Sequence, residues 1–259
     1  MIIRKRISAL FNEVRLLVWF GFRKIGFPGY QIHIIELQDE PLIYIPIPKN
    51  ACSTIKHALY EIEYRKEFDY DWADEWGYRD IHDYYEKRSR AFTGINTLMQ
   101  KDNVFTVIRE PLKRLISCYR NRVVDLGDLE KSKSILHQRG LPLEPDLNTF
   151  VLRLEEYRSA NKIIEHHSRA QHEFLNGSLA YVDEIYPIDK MDELKRMLKG
   201  YKADLQMRAE KSGGTSFSLA DLSESALEKA IRFYRKDYDL LSDFYSPAQI
   251  REAYSQSTS

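Results

Sequence analysis

The chain passes from a short strand to a helix at residues 48–56, which read PKNACSTIK. The preceding residues 41–48 are mostly apolar and predict a strand, and residues 53–62 have the pattern of a helix. A helix N-terminus offers unpaired backbone amides and a partial positive charge, so it binds anions readily. Lys49 adds a full positive charge there. The segment therefore predicts an anion-binding loop.

The small and hydroxyl residues of this loop suit a closely held phosphate. Ala51 and Cys52 let the backbone approach an anion, and Ser53 and Thr54 can donate their hydroxyl hydrogens. The Gly-x-x-x-x-Gly-Lys spacing of a Walker A loop is absent. Taken alone, the pattern also fits an ordinary strand-to-helix turn that a serine caps.

A second strand-to-helix junction follows further along the chain. Residues 104–108, VFTVI, predict a strand, and Pro111 suits the first position of a helix that runs to about Val124. Arg109 stands where the strand ends, and Ser117 lies two turns into the helix. An arginine fork matches a phosphate dianion, and a serine hydroxyl can complete its contacts. Two anion sites on neighbouring strand ends suit a ligand with phosphates at both ends of a nucleoside.

Together the two junctions resemble the motifs of the sulfotransferases that use 3′-phosphoadenosine 5′-phosphosulfate (PAPS). The likeness is to the branch that contains the carbohydrate sulfotransferases and the heparan 2-O-sulfotransferases. The first motif, Pro-Lys-x-small followed by Ser/Thr residues, corresponds to residues 48–54. The second motif is matched by Arg109, Glu110, Pro111, Arg114, Ser117 and Tyr119. Cys52 departs from the first motif, because many members carry Ser or Thr there.

The resemblance implies a role for each site residue. Lys49 would neutralise the bridging or leaving oxygen of PAPS, and Arg109 and Ser117 would bind its 3′-phosphate. The residues whose amides would hold the 5′-phosphate are Asn50, Ala51, Cys52, Ser53 and Thr54. Arg114 is expected instead to be a solvated helix residue or a sheet-edge partner. We expect no metal, since the chemistry requires none.

The acceptor hydroxyl needs a base, and histidine suits that task near neutral pH. His82 lies between the two motifs, where the similar heparan 2-O-sulfotransferases carry their catalytic histidine. His167 lies in HHSRAQ (residues 166–171), which resembles the His-x-x-Pro-Gln segment of carbohydrate sulfotransferases with Ala170 in place of the proline. For both histidines a structural or surface role stays open.

Strands, loops and helices alternate along the chain, which predicts an α/β fold: a single P-loop-like domain with a central parallel sheet flanked by helices. We expect residues 31–250 to form this domain, residues 1–30 an N-terminal amphipathic helix or appendage, and residues 251–259 a flexible C-terminal tail. Residues 64–90 predict a variable segment or lid, whose aromatic side chains either stack on sugar rings or form a local core. Residues 126–147 look loop-like.

Charge and cysteine content narrow the functional class. The 39 basic residues balance the 39 acidic ones, so no overall field indicates nucleic acid as a partner. The only cysteines are Cys52 and Cys118, which favours a reducing, cytoplasmic location. Residues 1–24 are basic, with apolar positions at helical spacing. They form either a helix packed on its own domain or an amphipathic helix in peripheral contact with a membrane surface.

We therefore expect a sulfotransferase that moves the sulfuryl group from PAPS to a hydroxyl of a carbohydrate, in a glycan or a glycolipid. One alternative is a P-loop kinase-like phosphotransferase, which would need a Walker loop and depend on ATP and Mg²⁺. The other is a non-catalytic nucleotide-binding scaffold, which would bind adenosine 3′,5′-bisphosphate without turnover.

Overall fold

The computed structural model describes residues 32–88, 90–92, 98, 101–207 and 216–258. The amphipathic helix or appendage predicted for residues 1–30 lies outside this part of the chain. Among the described residues, no helix is both long enough and apolar enough to cross a membrane.

A five-stranded sheet forms the centre of the fold, with the strand order β3-β1-β2-β4-β5. Its strands are β1 (Ile32–Glu36), β2 (Ile43–Ile45), β3 (Arg90–Phe92), β4 (Val104–Ile108) and β5 (Glu184–Pro187). Strand β4 is parallel to β2 and to β5, whereas β1 is antiparallel to both of its neighbours. The sheet is therefore mixed, and the predicted parallel arrangement holds for β2, β4 and β5.

Strand β4 anchors the parallel part of the sheet. All of its residues are buried, as expected for a strand that helices cover on both faces. The hydroxyl of Thr106 is satisfied within the sheet, since it donates to the carbonyl of Ile45 at 2.9 Å. The same two residues pair in the register of β2 and β4, so these strands end side by side. The loops that follow them must therefore start from the same edge.

Helices pack against the sheet and surround it. The α-helices are α1 (Cys52–Tyr64), α2 (Tyr70–Glu75), α3 (Ile81–Arg88), α4 (Pro111–Cys118), α5 (Lys133–Gln138), α6 (Leu147–Leu152), α7 (Leu154–Ala160), α8 (Lys162–Ser168), α9 (Gln171–Phe174), α10 (Met191–Lys199), α11 (Glu224–Phe233), α12 (Arg235–Leu240) and α13 (Pro247–Thr258). On one sheet face Tyr44 and Phe105 pack with α1, α3 and α10. Ile45 and Val104 belong to a separate apolar cluster with Leu175.

The second junction combines an expected start with an unexpected continuation. Glu110 caps α4, because its carboxylate accepts a hydrogen bond from the amide of Lys113 at 2.7 Å, and Pro111 occupies the first turn. A π-helix then follows at Tyr119–Asp125, where the sequence predicts one helix to Val124. π-Helical turns are rare and occur frequently at functional sites.

The predicted lid, residues 64–90, contains α2 and α3. Tyr84 and Tyr85 are buried in the core below these helices, so the local-core interpretation is confirmed for both rings. Trp76, at the end of α2, instead leaves 68% of its surface exposed.

The loop-like interpretation of residues 126–147 is wrong in part. Asp128–Ser132 form a 3₁₀ turn, and α5 follows directly. Leu129 and Leu136 are buried and hold both elements on the core. The glycines and prolines around these two leucines give the segment the composition of a loop, so the sequence does not predict that the leucines are buried.

The prediction of a flexible tail at residues 251–259 is wrong for most of its length, because α13 runs through Thr258. Ile250 is 3% exposed, and the hydroxyl of Tyr254 donates to the carbonyl of Leu222 at 3.0 Å. Ile250 and Tyr254 are four residues apart and therefore share one face of the helix. The serine-rich end of the sequence obscures this short amphipathic pattern.

Replacing Ile250 with alanine is expected to lower the free energy of unfolding by about 2–4 kcal/mol, because it leaves a cavity in the core. Denaturant unfolding measures this change. Glu252→Ala, an exposed substitution in the same helix, is the control and should change stability by less than about 0.5 kcal/mol. Equal midpoints for the two variants would show that α13 is not part of the folded core.

Candidate active site

The two segments that resemble phosphate motifs meet at the edge where β2 and β4 end. We call them the 48–54 loop and the 109–117 segment. The side-chain amide of Asn50 donates to the carbonyl of Val107 at 2.8 Å. Arg109 Nη1 donates to the carbonyl of Lys49 at 3.2 Å, and Arg114 Nε donates to that of Pro48 at 2.8 Å. The parallel register thus brings both segments into direct contact.

The backbone of the 48–54 loop makes a tight turn before α1, in which the amide of Asn50 donates to the carbonyl of Ile47 at 3.2 Å. Lys49 and Ala51 have φ values of 71° and 58°, in the left-handed region that non-glycine residues rarely adopt. Ala51 is the N-cap of α1 and provides no side-chain hydrogen bond to it, so the junction is not the serine-capped turn that also fits the sequence. A helix start without a side-chain cap, beside a lysine, is suited to an anion.

The side chains of Asn50 and Cys52 face the protein interior. Asn50 is fully buried, and its amide group also donates to Oε1 of Gln171 at 2.8 Å. The thiol of Cys52 donates to the carbonyl of Ile47 at 2.7 Å. These groups hold the loop from inside, so the thiol of Cys52 contacts the protein and not a ligand.

Gln171, in a segment distant in sequence, holds both motifs in register. Its Oε1 accepts from Asn50 and from the backbone amide of Arg109 (3.1 Å), and its Nε2 donates to the carbonyl of Arg109 at 2.7 Å. The buried carboxylate of Asp237 accepts from the backbone amides of Gln171 and His172 at 2.9 and 2.7 Å. One buried amide side chain therefore fixes the distance between the loop and the segment.

Lys49 is a partly desolvated cation. Its Nζ donates to Oδ1 of Asn121, on the π-helix, at 2.7 Å. Burial lowers the pKa of Lys49 to about 8; the thiol of Cys118 raises it, and the nearby charges of Arg122 and Arg109 lower it further. Among the described residues, no carboxylate forms an ion pair with Lys49. The lysine therefore carries a charge that the folded chain does not neutralise.

The 109–117 segment supplies further donors. Arg109 is half-buried, and its Nε has no hydrogen-bond partner in the described part of the chain. Burial lowers the pKa of Arg109, and the charge of Arg114 lowers it by a smaller amount. Ser117 is half-buried two turns along α4. Arg114 is fully buried and bridges the carbonyls of Pro48 and Arg169, the latter at 2.6 Å. The expectation that Arg114 is solvated is therefore wrong; it ties the loop to α8.

The two candidate bases occupy different surroundings. Nε2 of His82 lies 2.8 Å from Oγ of Ser53, and Nδ1 lies 3.2 Å from Nζ of Lys56, so His82 contacts the first turns of α1. Its backbone amide is capped by Asp80 at 2.9 Å. The structure therefore brings His82 to the 48–54 loop.

His167 is held by an arginine. Nη2 of Arg122 lies 2.6 Å from its Nε2, and its Nδ1 donates to the carbonyl of Ile163 at 2.9 Å. A guanidinium can only donate, so Nε2 is the unprotonated nitrogen. Burial and then the charge of Arg122 lower the pKa of His167 to about 3. At neutral pH this imidazole is uncharged, weakly basic and engaged at both nitrogens.

Sequence reasoning missed Lys56, Asn121 and Gln171. Lys56 follows Ser53 by three residues, so helical periodicity could have placed both on one face of α1. Asn121 lies beyond the matched motif, on a π-helix that no sequence signal announced. Gln171 is the last residue of the HHSRAQ segment, and nothing in its neighbourhood indicates that it spans two other segments.

Comparison with known proteins agrees with this geometry. A family model described as the sulfotransferase family matches residues 33–245, which include the 48–54 loop, the 109–117 segment and Gln171. No curated protein and no solved structure was found to match the chain. Because the family match covers most of the 259 residues, the chain belongs to the sulfotransferase family.

Proposed function

We propose that this sulfotransferase takes its sulfuryl group from PAPS and transfers it to a hydroxyl of a carbohydrate, in a glycan or a glycolipid. The observation that carries the proposal is the contact between the 48–54 loop and the 109–117 segment. Lys49 and Arg109 lie at this contact without a carboxylate partner among the described residues. Neighbouring cations of this kind suit a donor with phosphates at two ends.

The position of each site residue indicates its role in binding the donor. The backbone amides of residues 51–54 would hold the 5′-phosphate, and Arg109 and Ser117 the 3′-phosphate. The amide of Asn50, which was predicted with them, donates to the carbonyl of Ile47 at 3.2 Å. Lys49 would stabilise the negative charge that develops on the leaving oxygen, and it would do so without reorganisation because Asn121 orients it. A fixed donor geometry also favours the in-line approach of the acceptor.

For the acceptor's proton we assign no role to His167, because its basic nitrogen is held by Arg122 and its pKa is about 3. His82 is the predicted base that contacts the 48–54 loop. Its two ring nitrogens lie against Ser53 and Lys56.

An exposed aromatic ring at the end of α2 supports a carbohydrate acceptor. Trp76 is 68% exposed, and its ring lies 6.3 Å from that of Trp72. Trp72 in turn stacks on Tyr78 at 6.1 Å, four residues before His82. Aromatic rings combine an apolar face with a polar edge, which suits the mixed surface of a sugar.

A transfer assay tests the proposal. The protein is incubated with ³⁵S-labelled PAPS and a panel of neutral and acidic oligosaccharides, and label in the glycan and release of adenosine 3′,5′-bisphosphate are measured. We expect both, in equal amounts, with at least one glycan. Phosphoryl transfer from ATP that depends on Mg²⁺ would identify the kinase-like alternative. Tight bisphosphate binding without label on any glycan would favour the scaffold.

Donor affinity is expected to fall as the pH rises above about 8, because Lys49 loses its proton there. Below this pH the ammonium is fully present, and a bound anion raises its pKa, so the decline spreads upward from pH 8. Titration of adenosine 3′,5′-bisphosphate at several pH values between 6.5 and 10 measures the effect. The Lys49→Met variant should show no such decline. An equally steep decline in that variant would assign the titration to another group.

A further inference from the structure

Lys56 is a buried lysine that has no part in the donor binding proposed for Lys49, Arg109 and Ser117. It lies in the second turn of α1 and is 9% exposed. Among the described residues it forms no ion pair with a carboxylate. A buried ammonium is costly unless it is well hydrogen-bonded. Its side-chain hydrogen-bond partner is Nδ1 of His82, at 3.2 Å.

This contact fixes the direction of a chain of hydrogen bonds. An ammonium group has three donors and no acceptor, so Nδ1 of His82 must be the unprotonated nitrogen. A neutral imidazole then carries its hydrogen on Nε2, which lies 2.8 Å from Oγ of Ser53. Ser53 therefore accepts from His82, and its own hydroxyl hydrogen is free to point elsewhere.

The free hydrogen lies at the anion-binding end of α1. Ser53 is the second residue of this helix, two residues after the left-handed Ala51 and four after Lys49. An oxygen that accepts a hydrogen bond becomes a better donor through its own hydrogen, because hydrogen bonds in a chain polarise one another. A serine hydroxyl can donate or accept a hydrogen bond. The hydrogen bonds from Lys56 to His82 and from His82 to Ser53 thus make the Ser53 hydroxyl a donor.

We propose that Lys56 and His82 are positioning residues that make Ser53 a hydrogen-bond donor to the phosphate or sulfate group held by the 48–54 loop. This inference rests on the proposed function, because it takes that group to be part of PAPS. It gives His82 a different task from the one the sequence suggests. The ring presents a hydrogen, and not a lone pair, to the loop.

A double-mutant cycle tests the proposal at pH 7, with the dissociation constant of adenosine 3′,5′-bisphosphate as the readout. Ser53→Ala is expected to weaken binding about tenfold, as for a lost hydrogen bond to a charged group. Lys56→Met should also weaken binding about tenfold in the wild-type protein, but no more than about twofold when Ser53 is already alanine. An equal effect of Lys56→Met in both backgrounds would overturn the chain of hydrogen bonds.

One control variant and the binding of the wild-type protein separate this inference from the proposed function. Lys101→Met removes one positive charge from a partly exposed surface pair with Glu36 and should leave binding unchanged. If the wild-type protein fails to bind the bisphosphate, the proposed function fails. If it binds and Lys56→Met binds equally well, only the present inference fails.

A spectroscopic measurement on the wild-type protein needs no variant to be active. Nitrogen-15 NMR of the imidazole rings distinguishes protonated from unprotonated nitrogens, and His82→Leu identifies the signals that belong to His82. We expect hydrogen on Nε2 and none on Nδ1. Hydrogen on Nδ1 would overturn the proposal. Loss of kcat in His82→Leu without loss of bisphosphate affinity would return His82 to the role of base.

Discussion

Replacing Lys49 with methionine is expected to lower kcat for sulfuryl transfer by about 10²–10³-fold, the loss typical of removing one charge-stabilising donor from an active site. Methionine keeps the length and apolar character of the side chain and removes only the ammonium. The bisphosphate should bind less tightly by a smaller factor, since the loop amides and Arg109 are unchanged. Initial rates at saturating PAPS measure the first effect, and calorimetry measures the second.

The same substitution should stabilise the fold. Burial lowers the pKa of Lys49 from 10.5 to about 8, so the folded protein disfavours the ammonium. This cost is fully present below pH 8 and disappears as the pH rises towards the value of the unfolded chain. We expect Lys49→Met to raise the free energy of unfolding by about 1–3 kcal/mol at pH 7. Lys101→Met is the control at an exposed position. An inactive and also destabilised Lys49 variant would contradict this account, because activity would then be lost through unfolding.

Replacing Gln171 with methionine is expected to destabilise the fold by about 2–4 kcal/mol, because it leaves the backbone amide and carbonyl of Arg109 buried without partners. Bisphosphate affinity should fall more than tenfold as the two motifs lose their common partner. Denaturant unfolding and calorimetry on the same preparation check both effects.

Gln138→Met is the matched control for this prediction, since it makes the same chemical change at an exposed position. It should leave stability and affinity unchanged. If Gln171→Met unfolded at the wild-type midpoint, the hydrogen bonds of Gln171 would not be what holds the 48–54 loop beside Arg109.

The local chemistry of the site could be predicted from the sequence, because it lies in two short contiguous runs. The 48–54 loop and the 109–117 segment each combine a strand end, a helix start and a cation. Parallel pairing of β2 and β4 then brings both runs together. Strand β4 was predicted with its observed bounds, since a short apolar run before an Arg-Glu-Pro turn is a strong local signal.

The supporting contacts could not be predicted, because they join residues far apart in the chain. Gln171 meets Asn50 across 121 positions, and Asp237 meets Gln171 across 66. The antiparallel strands β1 and β3 were also not predicted from the sequence. Strand β3 has three residues, too few for periodicity to appear.

The directions of the side chains around the 48–54 loop could not be predicted from the sequence either. Asn50 and Cys52 were predicted to hold a phosphate by their backbone amides, and the sequence does not indicate that their side chains bond to the carbonyls of Val107 and Ile47. Lys49 and Ala51 in this loop adopt positive φ values, and the residue types there do not predict such a turn. Likewise, the contact of Lys56 with His82 joins two helices, and no local sequence pattern predicts it.

Calorimetric titration with adenosine 3′,5′-bisphosphate and with 5′-AMP, in the wild-type protein and in Arg109→Ala, bears on the whole account at once. If the two cationic segments grip opposite ends of one nucleotide, the bisphosphate binds the wild type at least tenfold more tightly than 5′-AMP does, and Arg109→Ala loses that preference while still binding 5′-AMP. If both proteins bind the two nucleotides alike, the pairing of the segments has nothing to do with a doubly phosphorylated donor.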